Sequence, residues 1–224
     1  MKKVLNRNHL KLIGCLTMLI DHIGFVFFPE IRIFRIIGRI AFPLFAFFVA
    51  EGMYYSKSRK NYQLAMLIFA LVSQIPYFLL FGYKFNIMFT FLLAMQLIIF
   101  YDKTKINNNY KSNNYLFFVY MLLITIILSL LGIIDYGFWG VMLVFFLYVF
   151  KNNTKYRIIA MATCLIMTAV SVSAIFVLVQ LVSLLAIPLI LIYNGEKGKG
   201  KYKYAFYLFY PVHIAILYIF SLFL

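Results

Sequence analysis

The chain has 224 residues, 65% of them apolar and only 12% charged, with 26 Phe and 18 Tyr. A chain of this length with a mean hydropathy of +0.96 cannot hide so much apolar surface in a soluble core, which excludes a soluble enzyme, a secreted disulfide scaffold, a disordered chain and a coiled coil. The formal net charge of +15 invites a nucleic-acid reading, but the basic residues sit in short polar gaps between apolar runs, as topology determinants do; no nucleic-acid partner is expected.

A membrane-crossing helix needs about 20 mostly apolar residues. That length predicts an all-α, polytopic membrane bundle of nine helices, within a range of eight to ten, forming one integral membrane domain over 1–224. The predicted spans are 10–28, 36–55, 62–82, 86–101, 115–133, 137–150, 156–171, 174–193 and 204–224. The first begins like a signal peptide, but Asp21 and His22 interrupt its apolar stretch and no small-x-small cleavage site follows, so it is expected to be retained. The second carries Arg39 and Glu51, with Pro43 between Gly38 and Gly52. That combination predicts a kinked helix that approaches its neighbours closely. Arg32 and Arg35 lie at the edge between these two spans.

Gln74, Gln96 and Gln180 read as hydrogen-bond groups between helices, and Asp135 as a solvated residue of an outer loop. The last span repeats the proline device in Tyr210-Pro211-Val212-His213. Cys15 and Cys164 lie inside apolar runs, so neither a disulfide framework nor a zinc spacing exists. Three histidines on different segments suggest no metal.

Of the 21 lysines and arginines, all but Arg32, Arg35, Arg39 and Lys84 fall on one side of a nine-span chain. The positive-inside bias makes that side cytoplasmic. The N-terminus is therefore expected inside and the C-terminus outside.

Ionisable groups within a bilayer cost about 2.5–3.5 kcal/mol each on insertion scales, which makes each a functional candidate. Asp21, His22, Arg39 and Glu51 all come from the first hairpin, and His213 joins them from the last span. Arg32, Arg35 and Arg39 are spaced i, i+3, i+7 and share one helix face. Asp21 and His22 are adjacent and point about 100° apart. Asp21 is therefore expected to pair with Arg39 or Arg35, leaving His22 free to face a cavity. The alternative is a helix–helix clasp in which these charges merely neutralise one another. The basic loops 56–60 and 195–201 could hold an anionic ligand through Lys57, Arg59, Lys60, Lys199 and Lys201, or serve only as topology determinants.

The stretches MLIDHIG (18–24), RIIGRIAFPLFAFFVAEG (35–52), SQIPY (73–77), NIMFTFLL (86–93) and YNGEKGKGKYKYAFYLFYPVHIAIL (193–217) resemble the TraX family of integral membrane proteins, named for the acetylase of conjugative F-pilin. The hairpin is also loosely similar to multi-pass acyltransferases that place a histidine in an early helix. The resemblance implies an acetyl-CoA-dependent transferase in a bacterial inner membrane. It makes His22 the acetyl-transfer histidine, Asp21 and Arg39 its electrostatic frame, and Glu51, His213 and Tyr210 further site residues.

On that reading acetyl-CoA docks on Lys57, Arg59 and Lys60, with Arg35, Lys199 and Lys201 as further donor-binding residues. Its pantetheine arm reaches His22 between the first two helices and the last, and Arg35 or Arg39 meets the developing charge. The acceptor is an amine or hydroxyl of a peptide or glycan delivered from outside or through the lipid. Two rivals use the same residues. One is a proton-coupled transporter working through Asp21, His22, Arg39 and Glu51; the other is a structural subunit of a secretion or pilus complex. Neither the acyl chain nor the oligomeric state is encoded in these patterns.

Overall fold

The computed structural model describes residues 3–106, 112–172, 176–198 and 203–223. Its elements are α1 (Arg7–Phe27), α2 (Arg32–Gly38), α3 (Ala41–Tyr55), α4 (Arg59–Phe81), α5 (Ile87–Ile106), α6 (Ser112–Leu130), α7 (Gly137–Val149), α8 (Thr154–Val170), α9 (Val177–Leu181), α10 (Ala186–Leu191) and α11 (Lys203–Ser221). A 3₁₀ stretch, Val182–Leu185, joins α9 to α10. Among the described residues there is no strand beyond two isolated bridges. Arg7–Phe27, Arg32–Tyr55, Arg59–Phe81 and Ile87–Lys105 are long and apolar enough to cross a membrane; Asn114–Leu130, Gly137–Val149, Val177–Leu191 and Ala205–Ser221 are shorter apolar helices. The chain is an all-helical membrane protein.

Local chemistry sets the helix boundaries. Asn6, Ser58 and Asn153 cap α1, α4 and α8 by accepting from the amides of His9, Asn61 and Tyr156, which satisfies donors that a helix start leaves open. The second predicted span begins earlier than expected and is broken rather than bent, with Arg39 and Ile40 between α2 and α3. Pro43 explains the break: it has no N–H for the Arg39 carbonyl, and its ring crowds that carbonyl. Pro211 lies inside α11 without interrupting it. The eighth predicted span is broken too, at its 3₁₀ stretch.

Packing sorts the helices into a centre and a rim. In α3 nearly every residue from Ala41 to Met53 is buried, as is α7 from Gly140 to Phe145. A helix apolar all round belongs in the middle of such a bundle. In contrast, α4 exposes Leu64, Leu67, Ile68, Leu71, Ile75 and Phe78, and α6 exposes Phe117, Tyr120, Leu123 and Ile127, stripes suited to lipid. α11 packs between α1 and α4, bringing its segment beside the first hairpin.

The bundle has two distinct ends. At the basic end Leu5 bridges to Tyr193, and Arg59 bonds both Asp102 (2.6 Å) and the Tyr148 hydroxyl (2.7 Å). At the opposite end the Phe85 amide donates to the Ile133 carbonyl at 2.8 Å, and Phe25 packs on Phe81.

Candidate functional site

Asp21 is the hub of the hairpin. Its Oδ2 accepts from Arg35 Nη1 and its Oδ1 from Arg39 Nη2, both at 2.7 Å. The expected ion pair thus forms with both arginines at once. Each Arg39 nitrogen has a partner: besides the Nη2 bond to Asp21, Nε donates to the Arg35 carbonyl at 3.1 Å and Nη1 to Gln180 Oε1 at 3.3 Å. Gln180 is the inter-helix group its sequence position suggests, reaching the hairpin from α9. Two guanidinium groups against one carboxylate leave the cluster with a surplus positive charge. The bonds are charge-assisted, and Asp21 and Arg39 are largely withdrawn from water, so they hold this geometry firmly.

One residue further along α1, His22 turns away from the ion cluster and meets α11. His22 Nδ1 lies 2.8 Å from His213 Nε2, and His213 Nδ1 lies 2.6 Å from the Phe209 carbonyl. The two imidazoles are coplanar to within 8°, with centroids 5.0 Å apart. That separation is close to the nitrogen–nitrogen distance plus two ring radii, so the contact is an in-plane hydrogen bond rather than a stack. The protons follow from the acceptors. A carbonyl can only accept, so His213 Nδ1 carries a hydrogen; neutral His213 then presents a lone pair at Nε2, to which His22 Nδ1–H donates. The remaining nitrogen, His22 Nε2, is left as a basic lone pair.

His22 and Asp21 line a cavity of about 350 Å³ bounded by α1, α2, α3, α4 and α11. Its wall runs from Lys11, Tyr62 and Phe206 near the basic end to Phe81, Lys84 and Asp135 near the opposite end, with Tyr77 and Tyr210 between. Lys11 and His22 are 11 residues apart on one helix, about 16 Å along the axis. A flexible arm entering beside Lys11 would meet the histidine pair at that depth.

Several sequence expectations change here. Asp135 is not a solvated loop residue. Its carbonyl accepts from Thr90 Oγ1 at 2.8 Å, which tucks the turn under α5 and presents the carboxyl to the cavity. Withdrawal from water pushes that carboxyl above the usual range, while Arg39 and Lys84 pull it the other way. The turn needs two left-handed residues in succession, Tyr136 (φ 58°) and Gly137 (φ 55°). A Gly after a short polar pair was the available signal, but nothing local told which way the turn would fold. Tyr136 stacks on Phe42 with centroids 3.7 Å apart, and Lys84 and Lys11 join the cavity wall without a sequence motif that marks them.

Glu51 does not join the histidines. It lies on the opposite face of α3 from Phe45 and Val49, which line the histidine cavity, and pairs instead with Arg157 Nη2 at 3.0 Å in a second cavity. Arg35, expected to help hold the donor, is bound to Asp21 toward the opposite end from Lys57 and Lys60. Arg59 is committed to Asp102, Tyr148 and the Met53 carbonyl, because two acceptors distant in sequence fold onto it. Lys57 and Lys60 are exposed at the basic end. Lys199 and Lys201 lie outside the described residues. Tyr210 is buried, lines the cavity and meets His213 edge-on.

The TraX protein family model matches residues 6–221. Over 241 aligned residues the chain is 28% identical to the "Probable fimbrial assembly protein FimC, serogroup H1" of Dichelobacter nodosus, covering 93% of this chain and 92% of that protein. A segment of 45 residues is 51% identical to the "Uncharacterized protein RP591" of Rickettsia prowazekii (strain Madrid E), covering 20% of this chain and 18% of that one. No solved structure matches the chain.

Proposed function

We propose that this chain, which belongs to the TraX family, is an acetyltransferase of the bacterial inner membrane that moves an acetyl group from acetyl-CoA to an amine or hydroxyl. The observation that carries this reading is the His22–His213 bond, which fixes a basic lone pair on His22 Nε2 in a cavity that runs along most of α1. The basic end is cytoplasmic on the positive-inside argument, so the donor enters there and the acceptor arrives from the other end or through lipid. At about 350 Å³ the cavity suits the acetylated pantetheine arm, while the nucleotide stays outside near the exposed Lys57 and Lys60, with Lys199 and Lys201 as further cationic partners.

In the reaction His22 Nε2 takes the proton of the acceptor's N–H or O–H as its heteroatom attacks the thioester carbonyl carbon. The tetrahedral oxyanion forms beside the surplus positive charge of Arg35 and Arg39, where low dielectric magnifies the attraction. Collapse breaks the carbon–sulfur bond, and the imidazolium returns its proton to the departing thiolate. Direct attack by His22 Nε2 would give an acetyl-imidazole by the same geometry. His213 is a positioning residue in either route.

The fimbrial-assembly name of the D. nodosus relative favours a pilus-associated role and a peptide acceptor over a glycan. The proton-coupled transporter loses its relay, since Glu51 stands in a different cavity and Asp21 is held by two arginines. Thiol release from acetyl-CoA by protein in proteoliposomes, with a candidate acceptor peptide, tests the proposal. His22→Ala should lose about 10²–10⁴-fold while remaining folded; wild-type rates in that variant would overturn it.

A further inference from the structure

A second cavity of about 640 Å³ opens at the basic end between α3, α7, α8 and α10. It is separate from the histidine cavity, and α3 is the partition. Phe42, Phe45 and Val49 face one space, whereas Phe47, Glu51 and Tyr54 face the other. Its lining holds the cations Lys3, Lys151 and Arg157 against a single carboxylate, Glu51. Thr154, the first residue of α8, also lines it, so the positive end of a 17-residue helix adds to the field.

Two polar atoms in this wall are left without a partner. Tyr193 is 8% exposed, and its hydroxyl, like Arg157 Nε, is buried with no hydrogen bond. The rest of Arg157 is well held, since Nη2 bonds Glu51 and the guanidinium lies 4.6 Å from the Phe47 ring centroid. A buried donor without an acceptor is costly, and both residues belong to the cavity wall, so an anionic acceptor seated there would satisfy groups that the protein leaves unpaired. Beside them Ile158, Ile187 and Ile190 give the cavity an apolar wall.

We infer that this cavity binds a phosphate ester, with Arg157, Lys151 and Lys3 as its cationic partners and the Tyr193 hydroxyl as a donor. The apolar wall favours an anionic phospholipid of the cytoplasmic leaflet, whose glyceryl and first acyl carbons would lie along the isoleucines. The site does not depend on the acetyl-transfer proposal, and its test measures no acetylation.

Thermal unfolding of the detergent-purified protein is followed while phosphatidylglycerol, phosphatidylcholine or soluble glycerol 3-phosphate is added. Tyr193→Phe keeps the ring packing on Phe47 and removes only the hydroxyl, and Lys3→Gln changes an exposed segment; neither should lower the midpoint without ligand. The expected result is a saturable rise with phosphatidylglycerol and none with phosphatidylcholine. Each variant should require about tenfold more ligand, as loss of one hydrogen bond to a charged group implies. An equal rise with glycerol 3-phosphate, weakened by the same variants, supports the site and identifies its ligand as the soluble ester. No rise with either ester, or a rise that both variants leave intact, overturns the inference.

Discussion

Gly38 lies so close to Asp21 that a β-carbon built on it would stand 2.1 Å from the aspartate Cβ and 2.2 Å from its Oδ1. The absent side chain is what lets α2 settle on α1 with Arg35 and Arg39 straddling one carboxylate. Gly38→Ala must push the helices apart or turn Asp21 away from one arginine. The variant should lose about 1–3 kcal/mol of stability, as overpacked sites do, and most of its transferase activity. A thermal midpoint equal to wild type would show that the hairpin gives way more easily than this geometry allows.

His213 should matter through the direction of a proton. His213→Phe removes the acceptor for His22 Nδ1–H and frees His22 to adopt the other tautomer. Activity is expected to fall roughly 10²-fold, within the range of a misplaced general base, with kcat falling and KM for acetyl-CoA nearly unchanged. His213→Gln, whose side-chain oxygen can still accept, should recover part of the loss. Equal rates for the two variants would argue that His213 only fills space.

Glu51 separates stability from chemistry. It is buried against Arg157, so Glu51→Gln weakens an ion pair and should cost about 1–3 kcal/mol. Turnover per folded molecule should be unchanged, because the residue faces away from the histidine cavity. A parallel loss of kcat with intact folding would return Glu51 to the reacting centre.

Asp135 gives a pH dependence with a definite sign. A carboxyl whose folded value is raised binds its proton more tightly in the native state, so ionisation destabilises the fold as pH rises above about 4. Asp135→Asn mimics the protonated form. Its midpoint should exceed that of wild type at pH 7, and the difference should shrink toward pH 4. A difference that grows on acidification would mean that the ionised carboxylate is the stabilising form.

The membrane class, the hairpin of charges and the proximity of Asp21 to an arginine were legible because each rests on local pattern or on the expense of a charge in lipid. Other features depend on long-range folding. Glu51 and Arg39 share one predicted span, yet Glu51 lies on the face of α3 that turns from the histidine cavity. Arg59 reads as an open loop cation until Asp102 and Tyr148 arrive from two other helices. Asp135 reads as solvated because its neighbours are turn formers, and only the bond from Thr90 reveals which way it folds. Tyr193 and Arg157 gave no signal at all, for a tyrosine ending an apolar run and an arginine after a loop are ordinary membrane-interface residues.

The partnership of His22 with His213 also orders events during synthesis. The two are separated by 191 positions, so the first hairpin must enter the bilayer and fold its charges together long before α11 exists. Asp21 can pair with Arg35 and Arg39 at that early moment and offset part of their charge, which makes the hairpin fit to insert first. The histidine on it gains its partner only when α11 slides between α1 and α4. A nascent chain therefore carries an imidazole without a fixed tautomer, and competence arrives in one step with the insertion of α11.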